Sequence, residues 1–151
     1  MCIRDRNYGR LVGAAVAATV VDMIYGFVVY GMLLQGEFSR YPAIYRPPED
    51  MSYMPYLMLG VLIGTLTATY IYAKGYEGGA GVVEGARFGA CLGVLVGGYI
   101  GLVNYAVMNL GRKLTASVAV AGFVEWVLLG IVIGLVYKPS PAAAPRKAAG
   151  V

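Results

Sequence analysis

The chain contains no histidine. That removes a histidine general base, histidine metal ligation and any Ser-His-Asp or Cys-His mechanism before a single motif is considered. Charge is scarce as well. Asp, Glu, Lys and Arg make up 13% of the 151 residues, where soluble globular chains carry about 25%. A soluble domain of 16.0 kDa needs a charged surface over its core, and this chain lacks the residues for one. Cysteine is limited to Cys2 at the terminus and Cys91 inside an apolar run, so no structural disulfide is expected between them. The net charge of +4 comes from short basic clusters between apolar runs. No basic patch interleaves with aromatics in a way that could follow a phosphate backbone, so no nucleic-acid partner is expected.

What is abundant points to lipid. Hydrophobic residues reach 59%, with 22 glycines and 13 tyrosines. Residues 11–34 are interrupted by Asp22 alone, residues 51–73 and 88–110 carry no charge, and residues 114–137 are interrupted by Glu125 alone. A helix needs about 20 apolar residues to cross a hydrocarbon core of roughly 30 Å. The sequence therefore predicts an all-α integral membrane four-helix bundle occupying residues 7–137, with spans near 11–34, 53–73, 86–110 and 114–137. No ten-residue alternation of the kind a membrane β-barrel requires is visible. The first apolar run is too long for a signal peptide and holds an aspartate, which makes it a true span. Residues 138–151, rich in proline and alanine, read as a disordered tail. The opening Met-Cys-Ile-Arg-Asp-Arg reads as carry-over from a sequencing adapter and is set aside from the fold.

Lysine and arginine set the expected orientation. Arg4, Arg6, Arg10, Lys74, Arg87, Lys138, Arg146 and Lys147 fall on the side of the termini, against Arg40, Arg46, Arg112 and Lys113 on the other. The excess puts both termini in the cytoplasm, in a cell membrane. The longest connection, residues 35–55, carries Pro42, Pro47, Pro48 and Pro55 among tyrosines and should lie along the outer interface. Gly111-Arg112-Lys113 reads as a tight turn that makes the last two spans antiparallel neighbours.

The third span holds the most specific pattern. Gly81, Gly85, Gly89, Gly93, Gly97 and Gly101 recur at intervals of four. That spacing lines them along one helix face, where a second backbone can approach closely. Shorter versions occur at Gly60/Gly64 and Gly130/Gly134. Packing inside the monomer is the default use of such a helix-packing ridge; a homo-oligomer or a membrane-protein partner is the alternative. The glycines of residues 75–81 form no phosphate cradle, because neither GxGxxG nor GxxxxGK[ST] is present. Met51, Met54 and Met58 have the spacing of a copper(I) thioether set, but no cysteine or histidine supports them. No catalytic, cofactor-binding or metal set is expected, and no cofactor.

Asp22 and Glu125 are different in kind. A carboxylate at the bilayer centre costs about 2.5–3.5 kcal/mol on insertion scales, so each needs a partner, a proton or water. Counted from the terminal side, both lie about 16–18 Å deep. Small neighbours, Ala18 and Gly26 for one and Ala121 and Gly122 for the other, turn both toward the bundle interior. No lysine or arginine shares that depth. Tyr25, Thr19, Tyr105 and Asn104 are the available hydrogen-bond donors. The bland reading is two largely protonated acids satisfied by such donors; the sharp one is a proton or cation relay.

Asp22 with Tyr30-Gly31, Tyr45-Arg46-Pro47, Met51, Tyr72-Ala73-Lys74-Gly75 and the run from Glu84 to Gly89 together resemble a family of small uncharacterised bacterial integral membrane proteins, a domain of unknown function. The likeness covers roughly residues 11–137 and implies a four-helix membrane protein without bringing an activity. Glu84 and Arg87, three apart, are expected to pair on one helix face. Three functions compete. A structural or accessory membrane component ranks first. A small proton- or cation-coupled transporter or channel using Asp22 and Glu125 follows. An intramembrane enzyme ranks last, since paired carboxyls alone would have to do its acid–base work.

Overall fold

A computed structural model describes residues 8–47 and 49–137. The expected tail at 138–151 and the opening six residues lie outside the described residues. Every regular element among the described residues is helical. Four helices are long and apolar enough to cross a membrane: α1 (Tyr8–Leu33), α2 (Met51–Gly75), α3 (Gly81–Val107) and α4 (Arg112–Val136). Their helical winding satisfies the backbone internally, which lipid demands.

The connections correct two expectations. Pro55 belongs to the first turn of α2, where its missing N–H is no loss, so proline opens this helix instead of holding the loop apart. Asp50 caps the same end, accepting from the Ser52 amide at 3.2 Å. Arg112 and Lys113 form the first turn of α4, and the reversal itself falls between Val107 and Arg112. Gly78, at φ +87°, makes the turn between α2 and α3 in a region that favours glycine.

Contacts run in the order α2–α1–α4–α3, and the most extensive is α3 on α4. Small residues explain the α1 contacts. Ala14, Ala15 and Ala18 are fully buried, letting α1 approach α2 and α4 closely. Thr19 Oγ1 and Thr65 Oγ1 lie 2.7 Å apart across the α1–α2 seam. Leu129 and Ile133 of α4 complete this core. At the terminal end α2 also meets α3 and α4, with the Tyr72 ring 5.3 Å from Phe88 and 6.1 Å from Tyr137.

The α3–α4 contact is backbone against backbone. Gly85, Gly89 and Gly93 are the buried residues in the first half of α3. A Cβ added at Gly81, Gly85 or Gly89 would overlap the carbonyl oxygen of Gly134, Gly130 or Trp126 respectively. At Gly97 the nearest atom would be the Ala119 carbonyl oxygen at 3.4 Å, and at Gly101 the Ala119 Cβ at 3.9 Å. Gly130 and Gly134 meet Gly85 and Gly81 in return, whereas a Cβ at Gly60 or Gly64 meets nothing within 4 Å. The two shorter glycine motifs thus differ in use, although their spacing is identical.

The halves of α1 and α3 nearer the long loop depart from α-helical winding. Phe27–Leu33 and Leu95–Gly101 are seven-residue π-helical stretches. Each follows or contains glycine, whose freedom eases the wider turn.

Candidate intramembrane carboxyl site

Asp22 projects from α1 and Glu125 from α4, both half-buried. Their carboxyl groups are near enough to interact with each other. Ionised carboxylates have only acceptors, so a hydrogen bond between two of them requires one proton. No ion pair to either group occurs among the described residues.

The donors are not those the sequence suggested. Tyr30 Oη donates to Glu125 Oε2 at 2.9 Å. Gly122, one turn before Glu125, lies beside this bond: a Cβ there would stand 3.7 Å from the Tyr30 hydroxyl, an ordinary contact. Tyr25 instead donates to the Ala121 carbonyl at 2.8 Å, and its ring meets Tyr30 edge-on at 6.2 Å. Thr19 donates to the Ala15 carbonyl at 2.8 Å. Tyr105 is exposed, and neither it nor Asn104 bonds to a carboxyl among the described residues. Sequence reasoning missed Tyr30 because it lies eight residues beyond Asp22, inside the π-helical stretch where a 3.6-residue period no longer tells which way a side chain points. The signal available was Tyr30 following Asp22 by two turns in an otherwise apolar run.

The Tyr30 ring also forms part of the wall of a groove of about 960 Å³ between the loop half of α1, the long loop and the start of α2. An aromatic chain continues from it to Phe38 at 6.4 Å and on to Tyr45 at 4.8 Å. One residue therefore touches both the carboxyl pair and an opening on the protein surface.

At the loop end, Glu37 ties the long loop to the first turn of α4. Lys113 Nζ donates to its carboxylate at 2.5 Å, and Arg40 lies 3.3 Å away. The Lys113 hydrogen bond, aided by Arg40, holds the Glu37 carboxyl below its ordinary range.

Glu84 and Arg87 do not form the expected pair: it is absent from the ion pairs among the described residues. The Glu84 carboxylate turns back and accepts from the amides of Glu77 at 2.7 Å and Gly79 at 2.9 Å. Two backbone donors in a glycine turn outcompete one solvated guanidinium, since exposed pairs contribute little. Cys91 is a free, exposed thiol.

Comparison of the chain with protein-family models, with curated proteins and with solved structures found no match.

Proposed function

We propose that this chain is a multi-pass integral protein of the cell membrane, with both termini cytoplasmic, in which Asp22 and Glu125 share a proton and serve proton- or cation-coupled transport. The observation that carries this reading is the nearness of the two carboxyls, with the Tyr30 hydroxyl on Glu125 and no ion pair to either acid among the described residues. A purely structural helix contact has no need of two acids, each of which costs about 2.5–3.5 kcal/mol to insert. Tyr30 adds a route, because its ring reaches the groove while its hydroxyl reaches the site.

A structural or accessory role has its own support in the α3–α4 contact. Gly81, Gly85, Gly89, Gly93, Gly97 and Gly101 act in this reading as one packing ridge, tightest over the first four. Such a ridge would serve as the rigid support for the carboxyl site carried by the same α4, so the two roles are compatible. The likeness of the 84–89 run and of Tyr45-Arg46-Pro47 to a bacterial membrane family agrees with both and selects neither.

The test is flux in reconstituted vesicles under an imposed pH gradient. Asp22→Asn and Glu125→Gln keep the shapes and remove the shared proton. Wild-type protein should carry proton-driven flux above empty vesicles, and both variants should fold and lose it. Equal flux in all three, or none from the wild type, overturns the transport reading. Infrared titration addresses the premise. A protonated carboxyl band at pH 7 that vanishes in the double variant is expected, and two ionised carboxylates would defeat the shared proton.

A further inference from the structure

The groove beside Tyr30 supports an inference independent of the carboxyl chemistry. It runs from Met23, level with the carboxyl pair, to Gln35 beyond the end of α1. From Met23 to Leu33, partly π-helical, the chain rises at most about 15 Å, about half of a roughly 30 Å hydrocarbon core. The groove therefore extends through about the depth of one leaflet. Its deep part is apolar, between Phe27 and Leu57, over a floor of Gly26 and Gly31. No side chain fills that floor: a Cβ at Gly31 would meet only Phe27 at 3.8 Å and the Gly26 carbonyl at 4.0 Å.

Among the described residues one charged side chain lines the groove, Arg46, and it sits in the loop at the shallow end. Its guanidinium stacks 3.2 Å from the centroid of the Tyr53 ring, which fixes its plane. Its contact with Asp50 is 3.8 Å, longer than a hydrogen bond. The N–H donors of a held guanidinium thus remain suited to an oxyanion, and phosphate is one whose geometry matches that fork. Water would be a poor tenant of the deep part, where apolar walls give it no hydrogen bonds.

We propose that this groove binds an acyl chain of an anionic phospholipid, the chain lying over Gly26 and Gly31 and the phosphate on Arg46. The depth of the groove matches a chain within one leaflet, and its single charge stands at headgroup level with the sign that selects an anionic lipid. The chain would shield the Tyr30 ring from the open side, yet its binding does not require Asp22 or Glu125 to carry a proton.

Native mass spectrometry of the full chain, released from detergent with added phosphatidylglycerol or phosphatidylcholine, tests the assignment. Wild-type protein should retain phosphatidylglycerol preferentially, by about tenfold in apparent affinity. Arg46→Gln should erase the preference while leaving weak binding of both lipids. Gly31→Leu, filling the floor, should abolish retention, and Gly13→Leu on the part of α1 outside the groove should not. Leu57→Trp narrows the groove from the α2 wall and gives the same test should Gly31→Leu fail to fold. Equal retention of the two lipids by the wild type, or wild-type retention in a folded Gly31→Leu or Leu57→Trp variant, overturns the proposal. So does a dimer that dissociates on filling the groove, which would assign it to a second copy of the chain.

Discussion

The hydroxyl of Tyr30 on α1 donates to the Glu125 carboxylate on α4 across 2.9 Å, joining residues 95 apart in sequence. The bond ties the π-helical half of α1 to the one span that contacts both α1 and α3 extensively. It also gives Glu125 a neutral donor where no ion pair reaches it among the described residues.

Tyr30→Phe removes that donor and leaves a half-buried acceptor short of one partner. The expected loss is about 1–3 kcal/mol in unfolding free energy. Tyr25→Phe deletes a comparable bond, to the Ala121 carbonyl, and should cost a similar amount. Only Tyr30→Phe should move the carboxyl infrared bands. A band shift from Tyr25→Phe instead would mean that the two tyrosines have been assigned to the wrong partners.

Gly85→Ala and Gly64→Ala are predicted to act in opposite directions. At Gly85 the new methyl would overlap the Gly130 carbonyl oxygen, and overpacking of this kind costs about 1–3 kcal/mol. At Gly64 nothing lies within 4 Å, so the gain in helix propensity should stabilise by about 0.5–1 kcal/mol. Thermal melting in one detergent compares them directly. Equal changes would deny the α3–α4 contact its special tightness.

The contact between Glu37 and Lys113 predicts a pH response at the loop end. The folded carboxyl titrates below its ordinary value because Lys113 donates to it. Its contribution is therefore complete above the unfolded carboxylate pKa and is lost as pH falls through the lowered folded value. The NMR resonance of the Lys113 side-chain ammonium should therefore shift in a step as pH falls below the usual carboxylate range, and Glu37→Gln should remove that step. An ammonium resonance with the same pH response in Glu37→Gln and the wild type would show that Glu37 is not the group Lys113 senses.

Single cysteines in a cysteine-free background check the orientation. Ser39→Cys, beyond α1, should react from outside the cell, and Glu77→Cys, between α2 and α3, only from the cytoplasm. Reaction of both from the same side would be incompatible with four spans.

The spans were legible because their signal is crude and long. Runs such as 114–137 tolerate one charge, and helical geometry then determines their length. Equal depth was enough to suggest that Asp22 and Glu125 share a level, and the fold brings their carboxyls together. Direction within the level was not legible. Tyr30, which reaches Glu125, lies in a π-helical stretch that leaves no periodic mark in the sequence. Glycine spacing has a similar limit. Gly60/Gly64 and Gly130/Gly134 look alike, since an interval of four assigns residues to one face without saying what that face meets. Glu84 was misread for a related reason: the loop that folds back onto it is defined by backbone amides, which every residue carries.

The reciprocal approach of Gly85 to the Gly130 carbonyl, and of Gly130 to that of Gly85, also constrains how this protein could change over generations. A clash between side chains can be relieved by trimming the opposing one, so a second substitution elsewhere rescues the first. Here the opposing atoms are main-chain oxygens, present whatever residue occupies the site. A methyl gained on either helix has no shortened counterpart to restore the fit, and suppressor screens against Gly85→Ala should return true revertants far more often than compensating changes on α4.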